Sequence, residues 1–452
     1  MKLFVGILLI AITTLASSFA DGSGITDEED SMFSSSSSEI TAAGNEEPAS
    51  LSGNLVEDLT DNQDSGIEYK GLEYEAVRIG GSFDFKLSNN WIWQEDLTGS
   101  SWTTPAAEGD LFNSDLKAEL FFEARPDTNT KYFGKIGIDG PLFTIADAPV
   151  TALIDETRTL GDIITIKELF ADFNYNEDIF FRVGKQTINS GVGYFYSPAD
   201  VLSLAEIDPE DPTAILEGPL SIKASMPIAL NNIYLFAVVD EQAVSVASTA
   251  VIPAAEFVIE NTEVSIGGYF RADQDPRLYA TLTTSIFDNE SIFAEALVGY
   301  GTGTGVKLDG TDALFAQLTG GVMLNDSLKT DDDFNISTYT LAGQYLYNYG
   351  DPDRLINITM PGDHYLTVMG SLSAIAETDL SLAATYQANI SDGSGRLYAT
   401  AGYKLFDGFQ LNANALWTTG EPGDEYTSLM PGINGNDRVA LSLSATLGSG
   451  IF

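Results

Sequence analysis

Between residues 364 and 452, apolar and polar side chains alternate with a period of two over strand-length runs, and few folds accept that pattern. Leu380, Leu382, Ala384, Tyr386, Ala388 and Ile390 form one set, against Ser381, Ala383, Thr385, Gln387 and Asn389. After the turn Ser391-Asp392-Gly393-Ser394-Gly395 the pattern resumes. Leu397, Ala399, Ala401, Tyr403 and Leu405 then alternate with Arg396, Tyr398, Thr400, Gly402 and Lys404. Beyond Asp407-Gly408, Leu411, Ala413, Ala415 and Trp417 alternate with Gln410, Asn412, Asn414, Leu416 and Thr418. A period of two places each set on one face of a sheet. Runs of roughly ten residues joined by tight polar turns match the tilted strands that cross a membrane.

The same pattern extends upstream. Leu116 to Ala124, Tyr132 to Ile138 and Ile179 to Val183 alternate in the same way. Three consecutive strands are expected at 263–271, 277–286 and 291–300, separated by Asp273-Gln274-Asp275-Pro276 and Asp288-Asn289-Glu290, which is turn chemistry. Further strands are expected near 162–175, 219–226, 231–239, 254–260, 312–323, 334–348, 364–376 and 438–452. The expected fold is therefore all-β, a transmembrane antiparallel up-and-down barrel of about 16–18 strands. Soluble sandwiches also alternate, but here the strands are long, sequential and uncharged along the middle of the apolar face. A charge on a lipid face costs roughly 2–4 kcal/mol at mid-depth. Aromatic clusters at Trp91 with Trp93, at Tyr194-Phe195-Tyr196, and at Tyr345, Tyr347 and Tyr349 are expected to form interfacial girdles.

The rest of the chain divides by composition. Residues 1–20 read as a secretory signal peptide, with Lys2, an apolar run from Leu3 to Leu15, and small residues at Ser18 and Ala20. Residues 21–67 are acidic and serine-rich and contain no Lys or Arg, so a disordered linker is expected, with a periplasmic tether or a flexible plug that enters the barrel as the alternative. Residues 68–452 are assigned to the barrel. The formal charge of −45 argues against nucleic acid as a partner, because phosphate binding needs clustered Lys and Arg. The chain holds no cysteine and one histidine, His364, which leaves little for nucleophilic or zinc chemistry. Asp309-Gly310-Thr311-Asp312 does not fit a twelve-residue calcium loop and reads as a hairpin turn. No catalytic residue, metal site or cofactor is expected, and no enzyme.

One segment carries a family likeness. Arg182-Val183-Gly184-Lys185-Gln186, then Gly191-Val192-Gly193, then Ser197-Pro198-Ala199-Asp200-Val201-Leu202 resembles a segment of several porin-like barrels. There, a strand ending in Gly-(Arg/Lys)-Gln runs into a glycine-bearing loop with Pro-x-Asp. Together with the signal, the periodic strands and the terminal Phe452, this resembles the bacterial outer-membrane porin superfamily over residues 70–452. The resemblance implies passive diffusion of small hydrophilic solutes, an outer-membrane lipid environment and assembly by the barrel insertion machinery. A homo-oligomer is compatible with it. One departure is that Phe452 falls out of phase with Val439, Leu441, Leu443, Ala445, Leu447 and Ile451.

If the apolar set faces lipid, the alternate set faces the lumen. Pore-lining candidates are then Lys117, Glu119, Glu123, Arg125, Lys131, Lys135, Arg182, Lys223, Arg271, Arg277, Arg396 and Lys404, with Arg438. The acidic excess falls in loops such as Asp331-Asp332-Asp333 and in the N-terminal segment, giving an acidic mouth in front of a basic wall. Opposite charges that pair across strands would instead only solvate the wall. The stretch 190–218 is the candidate constriction loop, with Tyr194, Tyr196, Asp200, Glu206 and Asp208. Two rival readings are a non-conducting outer-membrane barrel acting as adhesin or structural protein, and a secreted soluble β-rich binding protein.

Overall fold

The computed structural model describes residues 77–93, 112–145, 151–152, 164–201, 218–239, 248–287, 289–307, 312–329, 335–350, 360, 362–375, 378–421, 423–428 and 439–451. The signal, the acidic segment, Glu206, Asp208, Arg438 and Phe452 lie outside the described residues. All that is described belongs to the compact unit Pro48–Phe452.

The strands follow in sequence as β1 (Val77–Trp93), β2 (Phe112–Asp127), β3 (Thr130–Ile145), the short β4 (Thr151–Ala152), β5 (Ile164–Tyr175) and β6 (Ile179–Lys185). They continue as β7 (Leu220–Ile228), β8 (Asn231–Val239), β9 (Thr249–Ile259), β10 (Thr262–Tyr269), β11 (Arg277–Phe287), β12 (Glu290–Gly301) and β13 (Ala313–Lys329). The last are β14 (Asn335–Tyr349), β15 (His364–Ser373), β16 (Leu380–Asn389), β17 (Ser394–Phe406), β18 (Phe409–Thr419) and β19 (Val439–Ile451). A four-residue helix α1 (Glu425–Ser428) lies between β18 and β19, where sequence periodicity gave no helix.

Each strand pairs antiparallel with the next in the chain, except that β5 pairs with β3 beside the two-residue β4, and β1 pairs with both β2 and β19. Eighteen strands therefore close into one up-and-down barrel with no free edge, which removes the unpaired backbone groups that a bilayer would not tolerate. Register is held at the short turns by residues that accept positive φ. Gly408, with φ 80°, takes the left-handed position of the two-residue turn Asp407-Gly408 between β17 and β18, which glycine adopts without steric cost.

The alternation seen in sequence becomes two surfaces. Leu382, Tyr386, Tyr403, Leu411, Trp417, Leu441 and Leu443 are exposed on the outer face. The alternate residues Gln387, Asn389, Thr418 and Ser444 are buried on the inner face. Expected strands at 263–271, 277–286 and 291–300 appear as β10, β11 and β12. The inner face also carries an apolar cluster, in which Phe236, Ile252, Tyr269, Tyr279, Leu297 and Phe315 are buried. One expectation fails: Tyr194-Phe195-Tyr196 do not form an interfacial girdle, since Phe195 and Tyr196 are 1% and 0% exposed inside the barrel. Both observations have one cause, a connection folded into the lumen.

Candidate functional site

β6 ends in Lys185, and the chain from Gln186 to Val201 runs without regular secondary structure. This segment leaves β6, crosses the interior and meets β12, β14, β15 and β16 on the far side of the ring. Its anchor is Glu295 of β12, 3% exposed. The Glu295 carboxylate accepts the backbone N–H groups of Val192 and Gly193, that of Ala199 at 2.8 Å, and the Ser197 hydroxyl at 3.0 Å. No cation pairs with Glu295 among the described residues, so oriented amides balance its charge.

Gln344 of β14 makes the second anchor. Its Oε1 accepts the N–H groups of Tyr194 and Phe195 at 3.1 and 2.7 Å, while its Nε2 donates to the Tyr196 carbonyl at 2.6 Å. The Tyr196 hydroxyl then meets Thr367 of β15 and accepts from Gln387 Nε2 of β16 at 3.0 Å. Apolar contacts complete the docking. Ile188 and Ala199 enter the cluster of Phe236, Ile252, Leu297 and Phe315, whereas Phe195 and Tyr196 join Met323, Leu346, Met360, Tyr365 and Tyr426. The inner wall turns apolar at β8 to β14 because it has chain to bury.

A second connection joins this cluster. Tyr426 of α1 is 3% exposed, and the Arg396 guanidinium lies 5.5 Å from its ring centre. Glu425 accepts from the Tyr365 hydroxyl and, at 2.7 Å, from Asn389 Nδ2. Burial raises the Glu425 carboxyl above the ordinary glutamate value, against those two donors and Arg396. At the neighbouring turn, Asp392 accepts the N–H groups of Glu425 at 3.0 Å and Ser394 at 2.8 Å. Burial pushes the Asp392 carboxyl up, but these donors outweigh it and hold it below the ordinary aspartate value.

The other side of the interior carries the charges. Cross-strand register aligns Lys131 with Asp172, Asp172 with Arg182, and Arg182 with Lys223. Arg182 and Asp172 form a buried two-bond pair at 2.7 and 3.0 Å. Glu123 pairs with Arg125 at 2.8 Å and Lys131 at 3.5 Å. Lys135 pairs with Glu119 at 3.6 Å. Lys223 pairs with no carboxylate among the described residues and instead lies 4.9 Å from the Tyr234 ring centre. Arg182 lies 4.0 Å over Phe170, and Arg277 lies 5.4 Å from the ring centre of Tyr269.

Most of the sequence candidates fall on this inner set. Lys117, Glu119, Glu123, Arg125, Lys131, Lys135, Arg182, Lys223, Arg277, Arg396 and Lys404 share strand parity with buried neighbours. Arg271 does not lie on a strand; it sits in the β10–β11 connection and pairs with Asp273 at 2.6 Å. Lys404 pairs with Asp407 at the rim. Tyr194, Tyr196 and Asp200 lie in the inserted segment, where Asp200 approaches Ser190. Sequence reasoning missed Glu295, Gln344, Thr367 and Tyr365. Glu295 did carry a signal, being a lone carboxylate within Ile292-Phe293-Ala294-Glu295-Ala296-Leu297-Val298.

No protein-family model matches the chain, and comparison with curated proteins finds no match. Solved structures with similar architecture include OccK11 (OpdR) of Pseudomonas aeruginosa, 10% identical, covering 82% of this chain and 96% of that one, with a TM-score of 0.46. A BenF-like porin from Pseudomonas fluorescens is also 10% identical, covering 83% and 98%, with a TM-score of 0.49. Wzi of Escherichia coli, a carbohydrate-binding β-barrel involved in capsule assembly, is 9% identical, covering 81% and 84%, with a TM-score of 0.46. At such identity the function of this chain has to be argued from its own residues.

Proposed function

We propose that the protein is an outer-membrane channel through which small hydrophilic solutes diffuse passively, with residues 186–201 as its constriction. The observation that carries this reading is a segment fastened across the interior of a closed barrel by Glu295 and Gln344. Fastening narrows the lumen while leaving the charged sector of β2 to β7 on its other side. In that sector Lys131, Arg182 and Lys223 outnumber Asp172 along one register line. Fixed charge at a constriction decides ionic preference locally, so the narrow zone favours anions despite the acidic whole. Residues 1–20 then act as the export signal, and residues 68–452 as the inserted barrel.

A non-conducting barrel is the second reading, and the two apolar clusters inside the lumen favour it. Planar-bilayer recording of refolded protein under a salt gradient separates the two. Discrete current steps with an anion-side reversal potential support the channel. A folded, inserted protein without steps supports the closed barrel.

A further inference from the structure

The inner faces of β16 to β19 differ from the rest of the wall. Arg396 and Lys404 both lie on β17, near opposite ends of that strand, and the inward positions between and beside them are uncharged. Ser381, Gln410 and Asn412 converge over Gly402. A Cβ built there would meet Ser381 Oγ at 2.7 Å, Gln410 Nε2 at 2.8 Å and Asn412 Oδ1 at 2.9 Å. Asn412 accepts from Gln410 Nε2 at 2.8 Å, and Asn414 accepts from the Thr400 hydroxyl at 3.0 Å. Both asparagines therefore spend their carbonyl oxygens within the wall. Their amide donors reach no protein atom among the described residues. Directly across from Asn412, the Ser444 hydroxyl is buried and has no hydrogen-bond partner. On the same face of β17 as Thr400, two residues away, Tyr398 adds an aromatic ring whose hydroxyl is likewise unengaged among the described residues.

We propose that this sector, centred on Asn412, Asn414 and Tyr398, is a subsite for neutral polyhydroxylated solutes of the saccharide class. This rests on the channel reading given above. The chemistry is complementary. A sugar ring presents hydroxyls that both donate and accept, and an apolar C–H face. Side-chain amides offer donors at fixed positions, a tyrosine ring covers the C–H face, and the absence of charge spares the solute competition from bound ions. Adjacent strands lie about 4.8 Å apart, so donors on β18 and partners on β17 and β19 meet separate hydroxyls of one ring. Charged solutes are served by the opposite wall, at Lys131, Arg182 and Lys223.

The test records single channels in potassium chloride with increasing concentrations of maltose or raffinose. The parent protein is expected to show sugar-dependent interruptions of current. Asn412→Ala with Asn414→Ala should shorten their residence by about tenfold, the loss of two net hydrogen bonds. The open-channel conductance and reversal potential should stay unchanged, which certifies the fold. Tyr398→Ala should shorten residence likewise, whereas Lys223→Met should move the reversal potential and leave the sugar events alone. Open channels that ignore sugar, or sugar events that survive the asparagine pair, overturn this subsite while leaving the channel standing. No conductance in any of the proteins overturns both.

Discussion

Glu295 concentrates several roles in one side chain, and its substitution separates them. Glu295→Ala removes the acceptor of three backbone amides and one hydroxyl, and hydrogen bonds to a charged group contribute roughly 1.5–3 kcal/mol each. Glu295→Gln keeps an acceptor oxygen and should retain part of the docking. Amide exchange over residues 191–199 is expected to accelerate strongly in the alanine variant and mildly in the glutamine variant. Equal acceleration would mean that packing, not the carboxylate, holds the segment. Asp392 and Glu425 give a second residue-scale expectation. Asp392 is held below the ordinary aspartate value, so its contribution is present at neutral pH and lost as pH falls through the lowered value. Glu425 is raised above 4.5, so its contribution is present in acid and lost as pH rises through the raised value. Tyr365, Asn389, Asp392 and Arg396 face Glu425. After correction for intrinsic rates, exchange at Tyr426 and Thr427 should be slowest in mildly acidic solution. Asp392→Asn should abolish the low-pH limb and Glu425→Gln the high-pH limb.

At the scale of elements, the inserted segment depends on positions where no side chain fits. A Cβ at Gly193 would stand 1.8 Å from the Tyr196 carbonyl oxygen, which is backbone and cannot swing aside. Gly193→Ala should therefore undock the turn around residues 193–196 without disturbing strand pairing. The expected readout is new proteolytic cleavage within 187–201 in a barrel whose heat-modifiable gel mobility is intact. Strands themselves were legible because the period of two survives in almost every one, as in β16 to β18. The docked segment was legible as a long connection with a porin-like glycine and Pro-x-Asp pattern, but its seats were not, since its partners lie about 100 to 190 residues away, at Glu295 and Gln387. Nothing local distinguishes Gln344, an amide in an aromatic strand, from any other inward polar residue. Tyr194-Phe195-Tyr196 misled for the opposite reason, because three aromatics suit a bilayer interface and a buried cluster equally well. Helix α1 is too short to leave a 3.6-residue pattern.

For the whole molecule, closure is the decisive property. β19 pairs with β1 from Val439–Trp93 to Ile451–Ser82, with a bulge near Phe83–Phe85. Removing residues 439–452 would expose edges on β1 and β18, and unpaired backbone in hydrocarbon costs several kcal/mol per group. The truncated chain should aggregate in detergent and fail to show a compact, heat-modifiable form; a folded monomer would argue against closure as the source of stability. The segment crossing the lumen adds a consequence of a mechanical kind. A ring of hydrogen-bonded strands resists stretching around its circumference but flattens easily, as a hoop does when pressed. Residues 186–201 are covalently continuous with β6 and bonded to β12 and β14, so they act as a tie rod across the hoop. Flattening along that diameter must push the rod from its seat on Glu295, and widening must pull it away. The span across the lumen therefore also fixes the roundness of the wall around it.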